Sequence, residues 1–313
     1  MAKSQLENPI FTDAAKARGW LEALLWADGR ACGYCGIVGE STELAQRPGY
    51  YQCNACRKQF TVMVGTVFER SHIPLNKWLL AAFLLCASKK GISAHQMHRM
   101  LGITYKSAWF MMHRLREAMR PGKSSTPMGG EGKIVEADET FIGGKERNKH
   151  VGKRDKAKIG GAGKEIAFSL VERGGKVRSF HVPKVNAKTL RPILVQQISR
   201  KTSLMTDGAG QYRHMGEEFD RHEMVNHEIN EYVRGDVHTN TVEGYFSILK
   251  RGIVGTYHHV SAQHLKRYLG EFDFRYNERM DLGVDDASRM TKAIKGIQGK
   301  RLTYRRTDQA AHG

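Results

Sequence analysis

The pattern of apolar and polar positions changes twice along the chain and divides it into regions. Residues 13–26, DAAKARGWLEALLW, place apolar side chains at helical spacing and predict a short first helix. From residue 76 to residue 119 the spacing is again helical, with interruptions at two glycines. Residues 121–132, PGKSSTPMGGEG, are rich in Pro, Gly and Ser and predict a linker between two domains.

Strand-like sequence begins after the linker. Three segments, KIVEADETFIGG, KEIAFSLVERGG and KVRSFHVPKV, predict strands, and the short RGG between the second and third predicts a hairpin. A helix at about 187–200, a short strand in SLMTDGAG, a further strand near HEMVNHEI and long helices from residue 240 follow. Three strands, a helix, another strand and then helices predict an α/β domain with a mixed sheet.

The charge of the chain indicates its partner. The 313 residues include 50 Lys and Arg against 32 Asp and Glu, a formal net charge of +18, which makes nucleic acid the leading candidate. A membrane surface or an acidic protein would also attract such a chain. The longest apolar run, WLLAAFLLCAS, is too short to span a bilayer, and the first residues lack a basic segment followed by an apolar one. We therefore expect a cytoplasmic protein.

Four of the five cysteines form two Cys-x-x-Cys pairs, with seventeen residues between the pairs. The spacing of Cys32, Cys35, Cys53 and Cys56 is typical of a four-thiolate zinc site, and in a reducing compartment metal is favoured over disulfides. Such a site would be structural or would face DNA, because four thiolates leave no open position on the ion for chemistry. Two redox dithiols, or unrelated thiols, are the alternative.

Two helical segments precede the linker, SAHQMHRML and YKSAWFMMHRLREAM, joined by GIT. This is the spacing of a helix-turn-helix. The predicted buried stripe of the second helix consists of Tyr105, Ala108, Met112, Leu115 and Met119. Its other faces carry the residues that could meet a DNA groove, Lys106, Ser107, Phe110, His113 and Arg114. The alternative is a helical bundle with a basic, solvated face.

Three acidic residues occupy positions typical of active-site acids: Asp138 within a strand, Asp207 at the end of a short strand and Glu243 on a helix. The first two lie among apolar residues, so ionising them without a partner would be costly, and Mg²⁺ or Mn²⁺ would suit their oxygen ligands. Glu136 and Glu139 flank Asp138, and strand alternation cannot choose among the three if both sheet faces are buried. Asp207 could equally be a turn residue, because it precedes a glycine.

The helix in HTNTVEGYFSILKR, residues 238–251, carries an acid and a base on one line. Glu243 and Lys250 are seven positions apart, almost two full turns. The apolar positions predict a buried face on the same helix, formed by Val242, Tyr245, Phe246 and Leu249. Helix geometry alone allows either a solvated face or a functional pair.

Taken together, these segments resemble the IS1595, or ISXO2-like, family of insertion-sequence transposases. The resemblance is carried by the two cysteine pairs followed by RKQFTVMVGTVFERSHIPLNKWLLA, and then by VEADETFIGGKERNKH, MTDGAGQY and VHTNTVEGYFSILKRGIVGTYHHVSAQHLKRYLGEFDFRYNER. It extends over residues 15–280, and the joint order of the segments is far more specific than any single motif.

The resemblance implies an N-terminal zinc ribbon, a helical DNA-binding region and a catalytic domain of the ribonuclease H-like fold. Asp138, Asp207 and Glu243 match the acidic triad of the family, and Lys250 matches the lysine two helical turns later. The implied reaction is Mg²⁺- or Mn²⁺-dependent hydrolysis at the ends of a mobile DNA element, after which the freed 3′ hydroxyls attack target DNA. The implied partners are the terminal inverted repeats and the target. A homodimer or larger assembly is expected, because two ends are handled together.

The same resemblance gives the expected domains: an N-terminal helix at 1–27, a zinc ribbon at 28–70, a helix-turn-helix region at 71–120, a linker at 121–132, the catalytic domain at 133–282 and a basic tail at 283–313. The basic insertion 143–164, which includes Lys153 and Arg154, is expected to contact DNA, as is Arg251 beside Lys250. The alternative for the insertion is a solvated charged hairpin. Two rival functions are a DNA-binding regulator without catalysis and a nuclease of the same fold.

Overall fold

A computed structural model describes residues 4–122, 126–144, 148–155, 161–213, 215–225, 231 and 233–303 of the chain. The described residues form two compact units. The first draws on Met1–Ser88, Ile92–Arg120 and Val284–Gly313, and the second on Lys89–Gly91 and Pro121–Gly283. In these parts of the chain, every helix is too short or too polar to cross a bilayer.

The first unit begins with helix α1 (Ala14–Leu25), which Asp13 caps by accepting hydrogen bonds from two first-turn amides. A small antiparallel sheet follows, formed by β1 (Ser41–Glu43), β2 (Tyr51–Cys53) and β3 (Gln59–Phe60). Trp26 meets Tyr51 and Phe60 edge-on, with ring centroids 5.3 and 6.1 Å apart. These three rings form the small apolar core beside the cysteines.

Helices α2 (Leu75–Ala87), α3 (Ala94–Leu101) and α4 (Tyr105–Met119) complete most of this unit. Gly102 ends α3 in the left-handed conformation, with φ of 58°, which glycine adopts without steric cost. Two residues later, Thr104 accepts a hydrogen bond from the Ser107 amide at 3.2 Å and so caps α4. The two helices are therefore joined by a three-residue connection, as the sequence predicts.

Two side chains of α4 differ from their predicted burial. Tyr105, predicted to be buried, is 44% exposed, because it stands in the first turn and stacks on His95 with ring centroids 4.3 Å apart. His113, predicted to face outward, is buried and meets Trp109 edge-on at 4.2 Å. Since α4 packs against both α3 and a later helix, α8 (Asp286–Lys295), its buried face is wider than one stripe. The wider face explains why His113 is buried, whereas Tyr105 is exposed because of its position in the first turn.

The second unit is built on a five-stranded mixed sheet, as predicted. Its strands are β4 (Ile134–Ile142), β5 (Glu165–Glu172), β6 (Val177–Val182), β7 (Ser203–Asp207) and β8 (Arg221–Val225). Their order in space is β6-β5-β4-β7-β8. The pairs β4–β5 and β5–β6 are antiparallel, whereas β7 runs parallel to both β4 and β8. The remainder of the predicted strand near HEMVNHEI, residues 226–229, lies outside the described residues.

Helices cover both faces of this sheet. On one face lie α6 (Asn240–Gly252) and α7 (Ala262–Asn277), and on the other lies α5 (Ala187–Gln197). The apolar stripe predicted for α6 is buried as expected; its members are Val242, Tyr245, Phe246 and Leu249. Because both faces are covered, β4 has few fully exposed positions, and its acids are at least half-buried.

Strand β6 lies at one edge of the sheet, and side chains of α7 bind its outward-facing backbone. Asn277 Oδ1 accepts from the Val177 amide at 2.6 Å, and Asn277 Nδ2 donates to the Val177 carbonyl at 2.9 Å. One helical turn earlier, Asp273 accepts from the Ser179 amide at 2.8 Å and from the Ser179 hydroxyl at 2.6 Å. The Tyr245 hydroxyl of α6 also donates to Asp273, at 2.6 Å. This carboxylate therefore joins one strand and two helices.

The stability of the second unit should depend on the protonation of Asp273. Burial raises the pKa of Asp273 to about 6, even though its hydrogen bonds favour the charged form. Because the folded state then binds this proton more tightly than the unfolded state, the stabilisation is complete below about pH 4 and is lost as the pH rises to about 6. We expect the free energy of unfolding to fall over this interval by about 3 kcal/mol more in the parent than in Asp273→Asn.

Denaturant unfolding followed by circular dichroism between pH 4 and pH 7 would measure this difference. Asp281→Asn is the matched control, because its side chain is 82% exposed. That variant should keep the pH dependence of the parent. Parallel pH profiles for the parent and Asp273→Asn would contradict the assignment.

Candidate functional site

The four paired cysteines converge in the first unit. The Sγ atoms of Cys32 and Cys56 are 3.7 Å apart, those of Cys35 and Cys53 are 3.6 Å apart, and all four lie within 4.8 Å of one another. A tetrahedral zinc ion with Zn–S bonds of about 2.3 Å requires sulfur separations of roughly 3.8 Å. Among the described residues, this is the one group of three or more potential metal ligands that meets so closely. The arrangement fits zinc.

Backbone amides in the two cysteine turns donate hydrogen bonds to cysteine sulfurs. The Tyr34 amide donates to Cys32 Sγ at 3.5 Å, and the Cys56 amide donates to Cys53 Sγ at 3.4 Å. The bond from the Cys56 amide is the main cause that lowers the pKa of Cys53 to about 7. Since the thiolate is the ligand, this bond favours the metal-binding form of Cys53.

The second unit brings the predicted acids together. Strands β4 and β7 are parallel neighbours with Glu136 opposite Met205, so two residues further on Asp138 lies beside Asp207. Asp138 shares a sheet face with Glu136, whose carboxylate contacts α6. Asp207, beside Asp138 on the neighbouring strand, points to the same face. Glu243 stands in the first turn of α6. Three different elements thus contribute one carboxylate each.

These carboxylates lie within electrostatic range of one another. Burial and the neighbouring Glu139 carboxylate are the largest causes that raise the pKa of Asp138 to about 8, and Asp207 and Glu243 raise it further. The Glu139 amide, which donates to Asp138 Oδ1 at 2.7 Å, acts in the opposite direction. The site is therefore an accumulation of negative charge that a divalent cation would offset.

Glu136 is fully buried and has a different environment from Asp138. Its carboxylate accepts from the amides of Thr241 and Val242 at 2.8 and 2.9 Å and from the Thr241 hydroxyl at 2.8 Å. Arg173 Nε donates to it at 2.6 Å, and His238 Nδ1 lies 3.3 Å away. The sequence offers no signal for this arrangement, because Arg173 follows a strand in an ordinary turn.

Glu139 points to the opposite sheet face from Glu136. It accepts from Tyr212 at 2.5 Å and from Gln211 Nε2 at 2.9 Å, both in the short turn after Asp207. Burial is the main cause that raises the pKa of Glu139. The structure therefore distinguishes the three acids of VEADETFI, which strand alternation left unresolved.

The remaining predicted site residues are dispersed over several elements. Lys250 and Arg251 are exposed in the last turn of α6, and Arg251 donates to Ser247 at 2.6 Å. Lys153 and Arg154 are exposed in a short turn of the basic insertion, of which residues 145–147 and 156–160 lie outside the described residues.

On α4, the three predicted DNA contacts differ in accessibility. Lys106 is exposed. The Ser107 hydroxyl accepts from Thr104 at 2.9 Å and so belongs to the helix cap. Arg114 is half-buried; it donates to the Leu302 carbonyl at 3.3 Å and stacks over Phe110. Of the three, Lys106 is the most open to a DNA backbone.

Comparisons with known proteins match both units. Residues 129–277 match the family described as ISXO2-like transposase domain, and residues 12–59 match the transposase zinc-ribbon domain. Over 280 residues, the chain is 30% identical to an uncharacterized protein in transposable element ISH50 of Halobacterium salinarum. The aligned region covers 85% of this chain and 91% of that protein.

A solved structure with some likeness is the cryo-electron microscopy structure of the simian T-cell lymphotropic virus intasome in complex with PP2A regulatory subunit B56 gamma. The two chains are 14% identical, with a TM-score of 0.28. The similarity covers 56% of this chain and 63% of that chain.

Proposed function

Because the chain belongs to the IS1595 family of ISXO2-like transposases, we propose that it cleaves the ends of an insertion sequence and joins the freed 3′ hydroxyls to target DNA. The observation that carries the proposal is the approach of Asp138, Asp207 and Glu243 from three elements to within electrostatic range. A DNA-binding regulator has no need of such a group, since the accumulated charge repels a phosphate backbone.

The same acids are suited to hold Mg²⁺ or Mn²⁺. Carboxylate oxygens are the ligands these hard cations prefer. A cation would offset both the burial and the neighbouring carboxylates that raise the pKa of Asp138. When bound, such ions activate the attacking oxygen and stabilise the leaving oxygen in phosphoryl transfer.

The chain's own contribution is to orient these carboxylates before DNA binds. The Ala209 amide donates to Asp207 Oδ1 at 3.3 Å, and the Thr239 hydroxyl donates to Glu243 Oε1 at 3.0 Å. The Asp207 and Glu243 carboxylates are thus each oriented by a residue that flanks their own element. Fixed donors reduce the reorganisation required during reaction, which is how positioning accelerates phosphoryl transfer.

The arrangement of the strands and helices supports two further features of this function. The strand order, with three antiparallel strands extended by two parallel ones and helices on both faces, supports a ribonuclease H-like catalytic domain. The three-residue connection between α3 and α4 supports a helix-turn-helix that reads the terminal inverted repeats. A homodimer or larger assembly on DNA follows from the need to hold two ends at once.

A strand-transfer assay tests this function directly. Labelled element ends, Mg²⁺, a target plasmid and the full chain should yield joined products. Cleaved ends without joining would identify a nuclease, and tight end binding without cleavage would identify a regulator. Either result would overturn the proposal.

Lys250→Ala should weaken binding to element ends several-fold without removing the metal-binding acids. Lys250 is exposed two turns after Glu243 on α6, and a lysine there can contact a DNA phosphate. Electrophoretic mobility shifts without added Mg²⁺ would measure the change. The control is Lys188→Ala, an exposed lysine on α5 at the opposite sheet face. Equal losses in both variants would remove any special role for Lys250.

Replacing both Lys153 and Arg154 by Gln should flatten the salt dependence of DNA binding. If each contacts one phosphate, the slope of log K against log salt should fall by about two. Titrations at several salt concentrations would give the slope. An unchanged slope would favour a solvated hairpin for the insertion.

A further inference from the structure

The glutamates on either side of Asp138 each hold a segment that carries another of the site acids. Glu136 binds the first turn of α6, which bears Glu243, and Glu139 binds the turn directly after Asp207. We propose that Glu136 and Glu139 are positioning residues, which set the distances of Glu243 and Asp207 from Asp138. This inference rests on the proposed function, because it assigns these distances to metal binding.

The contact of Glu136 with α6 replaces a helix cap. The first amides of a helix have no acceptor within the helix, and a cap residue normally supplies one. Here the residue at the cap position, Thr239, directs its hydroxyl to Glu243 instead. Glu136 accepts from the Thr241 and Val242 amides, and the helix dipole favours a carboxylate at this end. Since Glu136 precedes Asp138 by two residues on the same strand face, it ties α6 to that acid.

Arg173 extends this contact to the chain that enters α6. Besides donating to Glu136, its guanidinium donates to the carbonyls of Asp236 and His238 at 2.7 and 2.9 Å. A buried carboxylate that already accepts four hydrogen bonds has little capacity left for a cation. We therefore assign Glu136 no metal-ligand role.

Glu139 positions Asp207, just as Glu136 positions Glu243. Strand β7 ends at Asp207, so the following turn has no sheet partner to fix it. The buried Tyr212 hydroxyl and the Gln211 amide group both donate to Glu139 and bring that turn back to β4. Asp207 is thus held between the β7 ladder before it and Glu139 after it.

Glu136→Gln tests the first contact. In this variant an NH₂ group replaces one of the two carboxylate oxygens of Glu136. An NH₂ group cannot accept hydrogen bonds, so either the bonds from the α6 amides or the bond from Arg173 is lost. Isothermal titration with Mn²⁺ in the absence of DNA should give a dissociation constant raised about tenfold or more. The Mg²⁺ concentration for half-maximal cleavage should rise by a similar factor, while DNA affinity without added divalent metal stays within about twofold of the parent.

Glu172→Gln is the matched control for a loss of stability alone. Glu172 is a neighbouring strand-end carboxylate that accepts from Lys133 at 2.7 Å and from the Gly129 amide at 3.0 Å. This variant should lower the thermal midpoint and leave the Mn²⁺ affinity unchanged. If it shifts the Mn²⁺ affinity as much as Glu136→Gln does, the positioning role is overturned. Thr241→Val, which removes one donor to Glu136, replaces Glu136→Gln if that variant does not fold.

A double-mutant cycle tests the second contact. Glu139→Ala and Tyr212→Phe should each raise the Mn²⁺ dissociation constant, and the double variant should raise it by less than the product of the two factors. Independent effects would overturn the assignment for Glu139.

A parent that binds Mn²⁺ through these acids but never cleaves DNA would refute the proposed function while leaving the positioning roles intact. If the parent and Asp207→Asn bind Mn²⁺ with equal affinity, these acids do not hold the ion, and both the proposed function and the positioning roles are overturned.

Discussion

Glu243→Gln is expected to reduce metal-dependent cleavage by about a thousandfold or more, while DNA binding without added Mg²⁺ stays unchanged. Gln keeps the size of the side chain, and its carbonyl can still accept from Thr239. The substitution removes the charge that Glu243 contributes beside Asp138, and with it one of the three proposed metal ligands. Single-turnover cleavage of a labelled element end measures the loss.

Glu278→Gln serves as the control for this substitution. Glu278 follows the last residue of α7, an element that contributes none of the three acids. It should cleave at the parental rate. An equal loss of DNA binding and cleavage in Glu243→Gln would indicate a structural role for this helix position. Cleavage that persists within tenfold of the parent would exclude Glu243 from the reaction.

Cys53→Ser is expected to remove zinc and to unfold the zinc-ribbon part of the first unit. Cys53 is fully buried within the sulfur cluster, and structural zinc contributes about 10–16 kcal/mol in zinc-finger peptides. All four tryptophans, at positions 20, 26, 78 and 109, belong to the first unit. Tryptophan fluorescence therefore reports on this unit selectively, and elemental analysis gives the zinc content.

The matched control is Cys86→Ala, which removes the one cysteine outside the cluster, a buried residue of α2. That variant should retain one zinc per chain. A full zinc content in Cys53→Ser, with parental tryptophan fluorescence, would show that the cluster does not hold the ion.

The cysteine site could be predicted from sequence because its signal is local. Two short pairs at a fixed separation specify the ligands, and tight turns place them without help from the rest of the chain. The buried stripe of α6 was equally accessible, since helical periodicity depends only on neighbouring turns. In both cases the information lies within a few tens of residues.

The roles of the three acids on β4 could not be predicted in this way. Both faces of the strand are covered, so burial alone cannot separate Glu136, Asp138 and Glu139. What separates them is which distant segment each side chain meets: α6 for the first and the turn after Asp207 for the last. The burial of His113 escaped prediction for the same reason, because a helix near the C-terminus widens the buried face of α4.

The hydrogen bonds between α7 and β6 limit how copies of this chain can meet. At a bare sheet edge, the Val177 and Ser179 amides would recruit a strand from another molecule and so promote aggregation or swapping. Here Asn277 and Asp273 already satisfy them. A second copy could extend the sheet through β6 only after α7 had been displaced. The proposed assembly on two DNA ends is therefore expected to leave the β6 edge unpaired.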